Sequence, residues 1–288
     1  MSAEEGVEWL SEELSVIVDG SKLVKPSPCQ SLFKYISLDS ERSWGLLYGT
    51  LKHGLLVGQA AKSLNDPFEL SPSIFDDLRD DEFVEMVVRK RNPFLKLTND
   101  EHMLVPTAKA RDIAEDYIRD IQSGNLIISF SERHDSPLLW AHYANNYRGA
   151  CLHFLGGNMF GYRDSLFGKV QYRENRPILP LSLAYNLADK QSRSRSVRLR
   201  AAVQKLFFFE KAIDWSYEKE VRHVYSLTPN RDSVSFEQRN LLSIICGPRM
   251  AQDDKDRLRQ IVSESAFTSI PILDAQVSKN SFGIFVDW

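Results

Sequence analysis

Hydrophobic positions change their spacing several times along the chain, and the first changes divide residues 31–60 into three elements. SLFKYISLD is typical of a strand because β-forming residues dominate it. Leu46, Leu47 and Leu51 then recur at helical spacing, and Gly54 follows as a helix-ending glycine. LLVGQA is again typical of a short strand. Residues 31–60 are therefore predicted to form strand, helix, strand.

Helical spacing dominates two later stretches. Apolar residues recur beside many charges over residues 74–92, and a second such pattern covers residues 106–122. We interpret these helices as an insertion at about residues 72–122 of one α+β domain, residues 31–288. An N-terminal helix and a proline-containing linker, residues 1–30, precede that domain.

The remaining apolar runs are short and predict a sheet with helices in separate blocks. NLIISFSER, GACLHFL, KVQY, LLSIICG and GIFVDW are strand-like, whereas LLWAHYANN, the stretch after residue 197 and DDKDRLRQIV are helical. Irregular connections between such strands favour an α+β fold with a mixed, mainly antiparallel sheet. Neither GxGxxG nor GxxxxGK[ST] occurs, so a Rossmann or P-loop nucleotide site is not supported.

Composition indicates the class of protein and its cellular compartment. The 288 residues are 43% hydrophobic and 26% charged, with a formal net charge of -3, which is ordinary for a globular protein without global affinity for polyanions. The N-terminus MSAEEGVEWL is acidic, unlike a secretory signal, and no apolar run approaches the roughly 18 residues of a membrane span. We therefore predict a cytoplasmic protein that does not enter the membrane.

Cysteine and histidine positions bear on metal binding. The three cysteines, Cys29, Cys151 and Cys246, are widely separated, so we predict reduced thiols that are buried as small core residues. No histidine stands at metal-ligand spacing from another histidine or a cysteine, so we predict no structural zinc site.

One stretch of the chain is strongly basic. KQSRSRSVRLR, residues 190–200, carries five positive charges and no acid. It is either a solvated helix start or a patch that faces phosphates, and arginines at a helix N-terminus oppose the helix dipole. In the second interpretation nucleic acid would contact Arg193, Arg195, Arg198 and Arg200.

Acidic and basic residues alternate in WSYEKEVRHVY, residues 215–225. The second half is strand-like, and a period of two then places Glu218, Glu220 and Arg222 on one face. Such residues are either a solvated ion pair of little energetic value or a functional site, because neighbouring charges shift one another's pKa. A carboxylate that faces a cleft stabilises a developing cation or acts as a general base.

Other polar residues also stand at strands or strand ends, where a sheet can direct side chains into a common cleft. Each has a plainer interpretation: Asn65 and Asp66 form a turn before Pro67, Lys34 extends to solvent, and Trp140 and His142 are core residues. The candidate binding residues are Lys34, Tyr35, Ser37, Asn65, Asp66, Ser131, Arg133, Trp140, His142 and Tyr143.

The ordered strings LFKY, LNDPFE, FSER, WAHYAN, WSYEKEVR and ICGPRM resemble the bacterial domain-of-unknown-function family 2971. This resemblance extends from about residue 31 to about residue 262. Each string alone is weak, but their order is specific. The family name itself implies no activity.

A more distant likeness implies a function. LFKYISLDSERSWGLLYGTLKHGLL, FSERHDSPLLW and the late E-x-E resemble motif regions of the ADP-ribosyltransferase folds, in which NAD lies in the cleft of a split, mainly antiparallel sheet flanked by helices. The likeness implies that Lys34 takes the position of an early histidine or arginine. It implies that Tyr143 or Trp140 stacks on nicotinamide and that Glu220 or Glu218 stabilises the oxocarbenium ion. Arg222 or Arg133 would contact the pyrophosphate.

The leading functional expectation is a NAD-consuming ADP-ribosyltransferase or NAD glycohydrolase, a bacterial defence or toxin effector that acts on nucleic acid or protein. One alternative is a magnesium-dependent antiphage nuclease that uses Asp66, Glu218 and Glu220, with residues 190–200 holding phosphates. Another is a non-catalytic module that binds a nucleotide or nucleic acid.

Overall fold

The computed structural model describes residues 23–75, 107–156, 160, 165–188, 197–229 and 232–288. The chain divides into two compact units. The first unit comprises Met1–Leu23, Ala60–Asn125 and Gln171–Ile213, and the second comprises Val24–Gln59, Leu126–Val170 and Asp214–Trp288. The predicted N-terminal helix and most of the predicted helical insertion lie outside the described residues. The prediction of one domain with an insertion stays a prediction.

Strands and helices alternate irregularly along the described parts of the chain. The strands are β1 (Ser31–Ile36), β2 (Leu55–Val57), β3 (Gln59–Ala60), β4 (Ser73–Phe75), β5 (Asn125–Ser131), β6 (Ala150–Leu155), β7 (Ser165–Lys169), β8 (Gln171–Arg173), β9 (Ile178–Pro180), β10 (Glu210–Ala212), β11 (Glu220–Ser226), β12 (Ser233–Ser235), β13 (Leu241–Cys246), β14 (Ile272–Val277) and β15 (Ile284–Val286). The helices are α1 (Glu41–His53), α2 (Thr107–Ser123), α3 (Pro137–Tyr143), α4 (Leu181–Ala188), α5 (Val197–Phe208) and α6 (Gln252–Ser263).

The second unit is built on a large sheet whose strands lie in the order β15, β14, β13, β6, β1, β5, β11, β7. β1 pairs antiparallel with β6 along its whole length, with Lys34 opposite Leu152, and it pairs antiparallel with β5 at Phe33 and Ser131. β7 and β11 are also antiparallel, whereas β13 and β14 are parallel. The predicted α+β class with a mixed, mainly antiparallel sheet is confirmed.

Helix α1 shows why the first predicted elements are correct. Ser40 caps its N-terminus in a capping box with Ser43, and Gly54 ends it in a left-handed conformation with φ of 64°. The Gly54 N–H donates to the Thr50 carbonyl over 2.9 Å. The helix buries an apolar stripe that includes Leu51. The strand, helix, strand prediction for residues 31–60 is therefore confirmed.

One core cluster of the second unit joins several strands to helix α3. Trp140 of α3 is fully buried there with Phe33, Cys151 and Ile245. Cys151 and Cys246 are buried, as predicted. The same prediction is wrong for Cys29, which is exposed because it lies in a turn closed by the Gln30 N–H and the Ser27 carbonyl.

The first unit combines helices with two pairs of parallel strands, β8 with β10 and β4 with β9. Helix α2 confirms the helix predicted over residues 106–122, and it packs against α4. The predicted helix over residues 74–92 is wrong at its start, because Phe75 belongs to β4 and pairs with Pro180 of β9. The rest of that prediction lies outside the described residues.

Two further predictions concern a membrane span and the basic stretch, and the described residues cover part of each. In the described parts of the chain, none of the helices has both the length and the apolar character needed to span a membrane. Helix α5 contains Arg198 and Arg200 of the basic stretch, whereas Arg193 and Arg195 lie outside the described residues.

Candidate functional site

The start of strand β11 places two glutamates inside the second unit. A 3₁₀ turn over Ile213–Glu218 ends at Glu218, and Glu220 is the first residue of β11. Between them Lys219 has a φ of 46°, in the left-handed region. The predicted alternation of Glu218, Glu220 and Arg222 along one strand is therefore wrong for Glu218, because the turn and Lys219 interrupt the strand geometry.

Glu220 and Arg222 form a buried two-point ion pair. The Arg222 Nε donates to Glu220 Oε1 over 2.7 Å, and Nη2 donates to Oε2 over 2.8 Å. Glu220 is 5% exposed and Arg222 is 0% exposed. The interpretation as a solvated surface pair is excluded by this burial. Parallel N–H···O bonds to one carboxylate also fix its orientation.

The position of Arg222 corrects the expectation that it contacts a pyrophosphate. Its guanidinium lies wholly inside the protein and is directed at Glu220. A buried charge is retained where an opposite charge and hydrogen bonds compensate its desolvation. Arg222 therefore orients Glu220 and compensates its negative charge.

Glu218 connects β11 to helix α3 and to β5. Its Oε1 atom accepts a hydrogen bond of 2.5 Å from the Tyr143 hydroxyl. Its carbonyl accepts a bond of 2.5 Å from the Ser131 hydroxyl, which in turn accepts the Arg133 N–H over 2.9 Å. Three predicted site residues that are far apart in the sequence, Ser131, Tyr143 and Glu218, are thus brought together.

Lys34 lies on β1, the neighbour of β5, and β5 is the neighbour of β11. The Lys34 ammonium lies over the Phe130 ring, 5.9 Å from its centre, and the residue is half-buried. Burial lowers the pKa of Lys34 to about 8, and the negative charge of Glu220 opposes part of that shift. Lys34 and Glu220 therefore interact electrostatically in a poorly hydrated setting.

Trp140 and Tyr35 belong to the core of the second unit. The Trp140 indole is 0% exposed, donates to the His134 carbonyl over 2.7 Å and meets the Tyr35 ring edge to face. The expectation that Trp140 stacks on a ligand is wrong, because no face of the indole reaches the surface. Tyr35 donates to the Arg133 carbonyl over 3.0 Å, and burial raises its pKa above the usual range.

Three further predicted residues lie at the surface of the second unit. Arg133 holds Asp135 through two hydrogen bonds of 2.9 and 3.2 Å, and the expectation that it contacts a pyrophosphate stays a prediction. His142 is exposed, so the interpretation as a core histidine is wrong as well. The Ser37 hydroxyl donates to Asp39 over 3.2 Å in the loop after β1.

Asn65 and Asp66 belong to the first unit, whereas Lys34 and Glu220 belong to the second. The Asp66 carboxylate accepts the Phe68 N–H over 2.9 Å, so it forms the turn that its position before Pro67 indicates. Asn65 is exposed. The described contacts of this segment support the turn interpretation.

Glu132 has contacts that no sequence pattern indicated. Its carboxylate binds Lys169 over 2.5 Å and accepts a hydrogen bond from Gln30, and its N–H donates to the Lys219 carbonyl over 3.0 Å. These residues come from four separate stretches of the chain. No periodicity connects them, so only the strand order could have revealed this network beside Ser131.

The second unit is thus an α+β structure with a polar cluster at the start of β11. We define the β11 cluster as Lys34, Ser131, Tyr143, Glu218, Glu220 and Arg222. Lys34 lies on the opposite face of the sheet from Ser131, because Phe33 is paired with Ser131 and side chains alternate along β1. Over the residues that the structure describes, no group of three or more histidine, cysteine, aspartate or glutamate side chains is arranged to hold a metal ion.

The model of the family described as "Protein of unknown function (DUF2971)" matches residues 139–223. This match supports the family resemblance predicted from the sequence, over a segment that contains Tyr143, Glu218, Glu220 and Arg222. No curated protein and no solved structure matches the chain.

Proposed function

We propose that the protein is a NAD-consuming enzyme of the ADP-ribosyltransferase type. The supporting observation is the adjacency of β1, β5 and β11, which carry Lys34, Ser131 and Glu220. These are the three strands whose sequences resemble the motif regions of ADP-ribosyltransferases.

Glu220 is the residue we propose to stabilise the oxocarbenium ion that forms when nicotinamide leaves NAD. Arg222 holds it by two hydrogen bonds and so fixes the orientation of its carboxylate. A fixed negative charge in a poorly hydrated place stabilises developing positive charge more than one in water does. Substrate has to reach this carboxylate, which is 5% exposed, so binding requires local opening.

Tyr143 is the aromatic residue we propose to contact nicotinamide. Trp140 is wholly buried, whereas Tyr143 is half-buried, and its hydroxyl is held by Glu218. A ring with one end fixed by a hydrogen bond presents a defined face at little entropic cost. Glu218 then serves to position Tyr143.

The ADP-ribose acceptor that we propose is water or a macromolecule, either nucleic acid or protein, in the setting of bacterial defence or of a toxin. Arg198 and Arg200 lie on helix α5 of the first unit, and a nucleic-acid acceptor would contact them. The nuclease alternative has less support, since Glu220 is engaged with Arg222 and Asp66 with a turn.

A non-catalytic nucleotide-binding module is the second candidate. The observation that favours it is the low exposure of both glutamates, 4% for Glu218 and 5% for Glu220. A protein of this kind would bind NAD or a related nucleotide without consuming it.

The test is to incubate the purified protein with NAD, alone and with DNA, RNA or a protein mixture, and to quantify free nicotinamide. Nicotinamide release supports the enzyme, and mass added to one macromolecule identifies the acceptor. Binding of NAD without release supports the binding module. Magnesium-dependent nicking of DNA without nicotinamide release would instead support the nuclease.

A further inference from the structure

Four aromatic rings follow one another beside Glu218. We define them as the aromatic row: His142 and Tyr143 of helix α3, and Trp215 and Tyr217 of the 3₁₀ turn. The ring centres of Trp215 and Tyr217 are 6.1 Å apart, and those of Tyr217 and His142 are 6.5 Å apart. The His142 and Tyr143 ring centres are 6.3 Å apart. Neighbouring rings at such distances interact, so the row is one continuous aromatic surface of the second unit.

The two elements that carry the aromatic row are fixed to each other and to the sheet. The Tyr143 hydroxyl donates to Glu218 Oε1 over 2.5 Å, and the Ser131 hydroxyl of β5 donates to the Glu218 carbonyl over 2.5 Å. The Lys219 N–H donates to the Ser216 carbonyl over 3.4 Å and closes the turn. The rings are therefore arranged before a ligand arrives, which lowers the entropic cost of binding.

The aromatic row is accessible from solvent. His142 is exposed, and Tyr143, Trp215 and Tyr217 are half-buried. In this they differ from Trp140, whose indole is 0% exposed in the core. Tyrosine and tryptophan rings that are partly packed offer a large contact area and lose little side-chain entropy when a ligand binds.

We propose that the aromatic row is a binding site for a nucleobase. This inference rests on the proposed function and deepens it, because it names a second planar group that the site holds beside the nicotinamide placed at Tyr143. The base belongs either to a free nucleotide or to single-stranded nucleic acid. Both sources present the same chemistry, a planar ring close to a phosphate.

The chemistry of the aromatic row favours a base as its ligand. Every base has a π face, and stacking on an aromatic side chain strengthens binding by about 5- to 150-fold per base. Ser216 lies between Trp215 and Tyr217 in the sequence, and Lys219 is exposed directly after the turn. An exposed ammonium beside stacked bases suits the phosphate that every nucleotide carries.

The first experiment compares ligands that differ only in the base, and it uses the full-length protein. Adenosine monophosphate is compared with ribose 5-phosphate by calorimetry. A labelled single-stranded oligonucleotide is compared with an abasic strand of equal length by fluorescence anisotropy. We expect the base-bearing member of at least one pair to bind at least 10-fold more tightly, and that pair identifies the source of the base. Equal affinities within both pairs, or no binding, overturn the inference.

Matched variants locate the base on the aromatic row. Trp215→Leu and Tyr217→Leu should each weaken the base-dependent binding at least fivefold, because each removes a stacking ring. The controls are Trp288→Leu and Tyr48→Leu, which remove an exposed tryptophan and a half-buried tyrosine elsewhere in the second unit. We expect both controls to bind within twofold of the wild type. A loss in the controls as large as in the row variants overturns the inference.

Photocrosslinking to the wild type replaces the variants where circular dichroism shows that they do not fold. The protein is irradiated with 8-azidoadenosine monophosphate or with a strand that contains 5-iodouridine, and mass spectrometry maps the modified residues. Modification within the aromatic row supports the site. Modification at Trp288, Tyr48 or other residues outside the row, without any in the row, overturns it.

The two proposals fail in distinguishable ways. A wild type that releases nicotinamide from NAD but shows no base-dependent binding at the aromatic row overturns the nucleobase site and leaves the enzyme in place. A wild type that binds a base at the row and releases no nicotinamide retains the nucleobase site, and the proposed enzyme fails.

Discussion

The buried position of Lys34 lowers the stability of the folded protein. Burial lowers its pKa to about 8, so its charged form is disfavoured in the folded protein relative to the unfolded chain. We expect Lys34→Met to raise the free energy of unfolding at pH 7 by about 1–3 kcal/mol. Urea titration of both proteins measures the difference.

The pH dependence has a definite sign. Below pH 8, Lys34 is charged in both states, and its penalty is constant. Between pH 8 and the ordinary lysine pKa of 10.5, the unfolded chain binds the proton that the folded protein has released, so wild-type stability rises. The advantage of Lys34→Met should therefore be complete below pH 8 and fade towards pH 10.5. An advantage independent of pH across this range would contradict the assigned cause.

The ion pair of Arg222 and Glu220 is expected to be important for the stability of the folded protein. Arg222→Met removes the guanidinium that compensates a carboxylate that is 5% exposed, and we expect a loss of about 3–5 kcal/mol. The double variant Glu220→Gln with Arg222→Met should be less destabilised than the sum of the two single variants, because neither charge then remains. Simple additivity in denaturant titrations would show that the two residues do not act as a pair.

Sequence reasoning at this scale found most members of the β11 cluster and misjudged their surroundings. Residue type and strand position were enough to select Lys34, Ser131, Tyr143, Glu218 and Glu220 as candidates. The burial of these residues and the identity of their partners could not be predicted, because both depend on strands far apart in the chain. Arg222 was therefore assigned to a phosphate instead of to Glu220, and Trp140 to a ligand instead of to the core.

At the scale of elements, helix α1 offers a prediction with its own control. Gly54 has a φ of 64°, and a Cβ atom there would also lie 3.4 Å from the Phe236 carbonyl oxygen. Gly54→Ala should lower the free energy of unfolding by about 1 kcal/mol or more, because alanine is strained in this conformation.

Gly49 is the matched control within the same helix. A Cβ atom at Gly49 would meet nothing within 4 Å, and residue 49 lies in the helix interior. Gly49→Ala should therefore raise the free energy of unfolding by about 0.5–1 kcal/mol through helix propensity. Both changes are measured by thermal melting, and the same sign for both would contradict the assigned cap.

Elements with local signals were predictable from the sequence. Gly54 as a helix-ending residue, Pro137 at the start of α3 and the apolar stripe of α2 each depend on neighbours within a few positions. The left-handed Lys219 has no comparable signal, because lysine rarely adopts that conformation. The position of Glu218 outside the strand therefore could not be read.

At the scale of the whole molecule, the segment matched by the family model lacks several strands with which its own strands pair. β6 lies between β1 and β13, and β11 is next to β5, while all three of these neighbours are outside residues 139–223. A fragment of residues 139–223 leaves those strand edges unpaired, so we expect it to be unfolded. Circular dichroism and amide proton dispersion in NMR spectra test this, and a cooperatively folded fragment would contradict it.

The strand order is also what the sequence could not supply. Periodicity identified the strands singly, but β1, β5 and β11 become neighbours through pairing between residues about 90 positions or more apart. The fold class was therefore predictable, whereas the adjacency that supports the proposed site required the structure.

Release of nicotinamide from NAD is the measurement that tests the β11 cluster as an active site most directly. It is made with the wild type and Glu220→Gln at a temperature at which circular dichroism shows both folded, with the double variant at residues 220 and 222 replacing Glu220→Gln where that single variant unfolds. We predict release by the wild type and a loss of about 100-fold or more in the folded variant, because the charge opposite the oxocarbenium ion is gone. A folded wild type that releases none, or a folded variant that releases nicotinamide at the wild-type rate, would contradict the account.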